Sequence, residues 1–159
     1  NDECGGVYGR RLDLRLVEVT ALGGGGVDID TLRSAACLEA TDDLGAVLVL
    51  DLTGLQGSAP LCLADTGKTP LITTEPQSSD DLRTARGRLL ATAVASDTQL
   101  ELAARSAEAR SLLTGATIAV VVSDTPGQSE AVSDGLLETM EDLGYDIQVH
   151  PIGCEGTTT

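Results

Sequence analysis

With one histidine in 159 residues, nucleophilic chemistry of the Ser-His kind has to pass through His150 or do without it. His150 lies late in a run that reads as a strand, beside Pro151, where an ordinary strand residue is the simpler reading. Ser58 stands in QGSAP, which lacks the second glycine of a G-x-S-x-G elbow. Asp42 with Asp43 and Asp80 with Asp81 are adjacent acids in polar stretches, a pattern of solvated loops rather than of a matched acid and base. Cys4, Cys37, Cys62 and Cys154 show no CxxC spacing and have only His150 as a companion, so a zinc site is not indicated; disulfides in an exported protein fit better. The run Gly23 to Gly26 sits where a phosphate loop would, but it has neither the Lys-Ser/Thr of a P-loop nor the third glycine of G-x-G-x-x-G, and Asp28 would repel phosphate. These residues point away from an enzyme and from any cofactor, and an α/β enzyme of unknown reaction is kept only as a second alternative.

What remains is hydrogen-bonding chemistry in two polar loops, Asp51 to Ser58 and Thr73 to Ser79. The elements that position them read as a βαβ unit. Ala46 to Leu50 is a continuous apolar run, too continuous for a strand wetted on one face, and is taken as a buried parallel strand. Pro60 to Asp65 suits a short helix with Pro in its first turn, ended by Gly67, and Pro70 to Thr73 gives a second strand. In open parallel sheets ligands bind beyond the carboxyl ends of the strands, where both loops lie.

Composition narrows the partners. The formal charge is −15, with nine arginines and the single Lys68 against 25 acidic residues, a field that repels phosphates and anionic lipid head groups, so no nucleic-acid partner is expected. A solvated acidic surface is the simplest explanation of that charge. Phe and Trp are absent, Tyr8 and Tyr145 are the aromatic residues, and the core has to pack from Leu, Val, Ile and Ala. No apolar run approaches the roughly 18 residues of a membrane span and nothing resembles a signal peptide, so the expectation is a soluble chain whose export signal has been removed.

In chain order, Leu12, Leu14 and Leu16 alternate with Asp13 and Arg15 and predict a strand running on through Val17 and Val19. Asp28 or Asp30 is expected to cap a helix over about Thr31 to Ala40. A short helix is expected at Ser79 to Thr84, a strand at Leu89 to Val94, and a helix over Gln99 to Leu113 capped by Ser96, Asp97 or Thr98. That helix would place Leu100, Ala103, Ala104, Ala107 and Leu112 on one face. Thr117 to Val122 reads as another buried strand, Ser129 to Leu143 as a long helix ended by Gly144, and Tyr145 to Pro151 as a last strand. The tail from Gly153 is read as disordered. The fold class is therefore α/β, with parallel-sheet, Rossmann-like layers.

Three stretches, GGVYGRRLDLRLVE from Gly5 to Glu18, AVLVLDLTG with the following PLIT, and TIAVVVSDTPGQSEAVSDGLLETMEDLGYDIQV from Thr117 to Val149, together resemble the type I periplasmic binding proteins. Within these the chain is similar to the branched-chain amino-acid type receptors, in particular the extracellular ligand-binding proteins of actinobacteria. The resemblance implies two α/β lobes, residues 1–97 in the first and 98–159 in the second, with ligand held in the cleft between them. It also implies an incomplete two-lobe arrangement, since the family's opening strand and helix are missing and roughly half of a full receptor would still follow.

The family's ligand-contacting loops match Thr53, Gly54, Leu55 and Gln56, then Thr73, Thr74 and Glu75 in the first lobe. In the second lobe the matching turn runs from Asp124 to Gln128, and Asp97 lies at the crossover. Gln128 stands where relatives often carry an aromatic residue. Paired cysteines in the actinobacterial relatives imply Cys37 with Cys62; Cys4 with Cys154 is left by elimination, with unpaired thiols as the alternative. The expected function is an extracytoplasmic solute-binding protein of an ABC-type uptake or sensing system, binding a small polar ligand such as an amino acid and reporting to a membrane permease. The alternative is an interaction or sensory module that dimerises or binds a protein partner.

Overall fold

The computed structural model describes residues 6–19, 28–52, 54–123 and 127–152. Helix α1 (Ile29–Leu38) begins where the Asp28 carboxylate accepts the amide of Thr31 at 3.0 Å, the N-cap that a short acidic side chain supplies, and it widens into a π turn over Glu39–Asp43. Strands β1 (Val49–Asp51), β2 (Leu71–Thr73) and β3 (Leu89–Ala91) form a parallel sheet in that order. Helix α2 (Ala59–Leu61), with Pro60 in its first turn, runs into a π turn over Cys62–Thr66 that stops at Gly67. Helix α3 (Ser79–Thr84) joins β2 to β3.

The sheet register sorts its residues by face. Val49, Leu71 and Leu89 form one cross-strand row, and Leu50, Ile72 and Leu90 form the next, on the opposite face. The first row lies under Cys37, Ala40, Leu63, Ala64 and Ala85, with Leu61 and Leu82 packed alongside, and this is the core. Right-handed crossovers between parallel strands that follow chain order all land on one face. The connections after β1 and β2 accordingly share a face, and the other is left open: Leu50 is 61% exposed and Leu90 53%. The Cys37–Cys62 disulfide, with Cα atoms 6.3 Å apart, ties α1 to the π turn after α2 within this core, and closing a loop over its separation of 25 residues contributes roughly 3 kcal/mol. The other expected pair, Cys4 with Cys154, lies outside the described residues, as do the Gly23 to Gly26 run and the tail from Gly153.

Helix α4 (Ser96–Ala109) leads to a second parallel pair, β4 (Ile118–Ser123) with β5 (Ile147–Ile152). Between them run α5 (Gln128–Ala131), a π turn over Val132–Leu137 and α6 (Glu138–Asp142), as one continuous helical rod. The rod packs on α4 through Gly135: a Cβ there would stand 2.2 Å from the Asp97 carbonyl oxygen, so only glycine permits this approach. The Tyr145 hydroxyl donates to Glu108 on α4, and this bond holds the phenol pKa above its ordinary value. No described helix is long and apolar enough to cross a membrane.

Several expectations need correction. Residues 11–19 are not strand: Val7 and Arg10 make an isolated bridge, and Leu14 and Leu16 are more than four-fifths exposed, so the alternation buries no apolar row at these two positions. The strand starting at Ala46 begins at Val49, and it is covered on one face rather than two. The strand over Thr117 to Val122 also leaves Val121 bare. Strand β3 stops at Ala91 instead of Val94, and α4 ends at Ala109 instead of Leu113, which leaves Leu112 outside the helix and exposed. Ala103, expected on its inward face, is exposed too. The residue before α4 is Ala95, which offers no side-chain cap, so Asp97 is freed for another task.

Candidate functional site

Asp51 ends β1 on the covered face, opposite Thr73, and its carboxylate is buried behind the loop that follows. It accepts the amides of Gly54 at 3.2 Å and Leu55 at 3.3 Å and the Thr73 hydroxyl at 2.8 Å. Thr73 in turn accepts the Glu75 amide at 3.0 Å, so one carboxylate sets the exit of both loops. Arg33 of α1 adds an outer clamp, donating from Nε to the Gly54 carbonyl at 3.2 Å while pairing with Asp30 at 3.0 Å.

A second, partly buried group fixes the far side of the β2 loop. The Asp97 carboxylate accepts the Ser79 amide at 2.7 Å and its hydroxyl at 2.6 Å, while the Ser78 hydroxyl accepts the Asp81 amide at 3.0 Å. Burial acts to raise the Asp97 pKa, but the Ser79 hydrogen bonds, its own backbone and the charge of Arg83 outweigh it and hold the carboxyl below its ordinary 3.8. Asp97 thus caps α3 across space instead of capping α4. The start of α4 is tied in by the Ser96 amide, which donates to the Gln77 carbonyl at 2.9 Å.

In front of these supports lies a cleft of about 320 Å³. Gln56 and Gly57 line it from the β1 loop, and Glu75, Pro76, Gln77, Ser78 and Asp81 from the β2 loop and α3. Ser96 and Leu100 contribute from α4, and Gly127, Gln128, Ala131 and Val132 from α5 and the turn after it. Gln56 donates from Nε2 to Glu75 Oε2 at 3.1 Å across the two loops. Gly127 holds a left-handed φ of 84°, and its amide donates to Glu130 at 2.7 Å, closing the first turn of α5. Hydrogen bonds from the Glu130 amide and from Ser129, with the Gly127 amide adding to them, hold the Glu130 carboxyl below its ordinary value against a smaller opposing effect of burial.

Of the residues expected to face a ligand, the cleft brings together Gln56, Glu75 and Gln128. Gly54 and Leu55 are turned into the Asp51 and Arg33 contacts, Thr73 is fully buried behind them, and Thr74 is exposed with its hydroxyl donating to the Leu52 carbonyl at 3.3 Å. Asp97 does not line the cleft, and Thr53 and Asp124 lie outside the described residues. Sequence reasoning missed Asp81, Ser96 and Leu100. A local signal existed for the first: a Ser at the N-cap places the residue three positions on in the helix's opening turn, beside the strand ends. Among the described residues, no group of three or more His, Cys, Asp or Glu side chains could hold a metal ion.

No protein-family model matches the chain, and neither does any curated protein sequence. Solved structures do. A solute-binding protein of an ABC transporter from R. palustris, in complex with 4-hydroxybenzoate, matches 80% of this chain with a TM-score of 0.59 at 14% identity. The chain shares part of the α/β fold of this protein. A second such protein, from Rhodopseudomonas palustris BisB5 in complex with 3,4-dihydroxybenzoic acid, matches 77% of the chain with a TM-score of 0.53 at 15% identity. The chain spans about a third of each: 34% of the first solute-binding protein and 32% of the second.

Proposed function

We propose that the chain is a solute-binding protein, or part of one, of an extracytoplasmic ABC-type uptake or sensing system, and that it holds a small polar solute in the cleft beyond β1 and β2. The observation that carries this reading is the placement of the cleft. It sits outside the carboxyl ends of parallel strands, its loops are braced from behind by Asp51 and Asp97, and α5 forms the facing wall. Braced loops are what a binding site needs, because a side chain held in place loses less freedom when a ligand arrives. Residues 1–97 and 98–159 serve in this reading as the two lobes, and a membrane permease is the partner that senses occupancy. The solved structures of similar fold bind aromatic acids; amino acids are the other class to try.

The test is a thermal-shift panel of amino acids, amines and aromatic acids on the purified protein and on Gln128→Trp, which fills the cleft from the exposed start of α5. One class should raise the Tm of the parent and leave the variant unmoved. A panel that shifts neither protein would sink the proposal.

The row of Leu50, Ile72 and Leu90, exposed at Leu50 and Leu90, favours a second reading, in which the chain dimerises or binds a protein through this face. Light scattering across a concentration series separates the two: a concentration-dependent dimer dispersed by Leu50→Glu would favour it, and a monomer at all concentrations would remove it.

A further inference from the structure

We propose that the cleft takes a cationic solute, a compact apolar body carrying an ammonium or similar group, in place of an aromatic acid. The inference rests on the solute-binding reading and concerns its ligand class. The cleft contains two acidic side chains, Glu75 and Asp81, and neither makes an ion pair with any described residue. None of the nine arginines, Lys68 or His150 lines it. The cations nearest in sequence are directed elsewhere: Arg83 to Asp80 at 2.7 Å, Lys68 to Asp65 at 3.1 Å and Arg88 to the Ala64 carbonyl at 2.7 Å, while the charge of Arg86 acts on Asp65.

A carboxylate ligand would meet two like charges with no guanidinium or ammonium to receive it, inside a chain whose formal charge is already −15. An ammonium group would find two carboxylate acceptors. The Gln56 amide braces Glu75 from the side without neutralising it. Leu100, Pro76 and Val132 supply an apolar wall for the body of the ligand, which accounts for compactness at about 320 Å³.

Calorimetric titration of the purified protein with benzylamine, benzamide and benzoate, which share one ring and differ in charge, tests the assignment. Benzylamine should bind at least about tenfold more tightly than benzoate, and Glu75→Gln and Asp81→Asn should each weaken it by about tenfold, the usual effect of removing one charge-assisted contact. Glu75→Lys should move the preference towards benzoate. Benzoate binding as well as or better than benzylamine, or benzylamine binding that ignores both neutralising variants, would overturn the charge assignment while leaving solute binding intact. If none of the three probes binds while another class in the thermal-shift panel does, the cation assignment falls alone; if no class in that panel binds, the solute-binding reading falls with it.

Discussion

Two sets of polar side chains meet at the ends of β1 and β2, and they differ in the direction they face. Asp51, Thr73 and Asp97 point inward and spend their hydrogen bonds on backbone amides and hydroxyls of the loops. Gln56, Glu75, Asp81 and Gln128 line the cleft. Residue type does not distinguish the sets, since each holds carboxylates. What separates them is whether their carboxylates hold backbone amides of the loops, as Asp51 and Asp97 do, so inward substitutions should cost folding and outward ones should cost recognition.

The largest effect is expected where both sets lose their frame. Gly135→Ala would drive a methyl group into the Asp97 backbone, so the helical rod must retreat from α4; we expect about 3 kcal/mol of lost stability in urea unfolding. Next comes Asp51→Ala. It strips acceptors from two amides and the Thr73 hydroxyl behind the loops, a loss of about 2 kcal/mol read from the denaturation midpoint.

Asp97 gives a smaller effect with a pH signature. Its carboxyl is lowered in the folded state, so its contribution is present above the ordinary value of 3.8 and is lost as pH falls through the folded value below it. Asp97→Asn should cost about 1 kcal/mol at neutral pH and flatten the stability profile below pH 4, without altering the profile above it. Unchanged acid sensitivity in the variant would move Asp97 out of the inward set. The smallest stability change belongs to the outward set: Glu75→Gln and Gln128→Ala should stay within about 0.5 kcal/mol of the parent in thermal melts.

Much of the frame is legible in the sequence. Asp28 as a cap, α3 over Ser79–Thr84 and the stops at Gly67 and Gly144 are local signals, and each acts within a turn or two of chain. Strand parity also carried more than the loop pattern did. Asp51 follows Val49 by two residues and Thr73 follows Leu71 by two, so both share the covered face, where Thr73 is fully buried. Less could be foreseen of Asp97, whose partner Ser79 is 18 residues away on another helix, or of Gly135, whose role depends on how α4 and the rod meet. The apolar runs gave no sign that one sheet face would lie open, because that follows from all crossovers landing on the same side.

The most direct test is amide hydrogen exchange with and without the solute that raises the Tm most. Added protection should fall together on residues 54–57, 75–81 and 127–132, the three walls of one cleft. Protection confined to the open face around residues 47–52 and 90, or no change at any of the three walls, would contradict a solute-binding cleft at the strand ends.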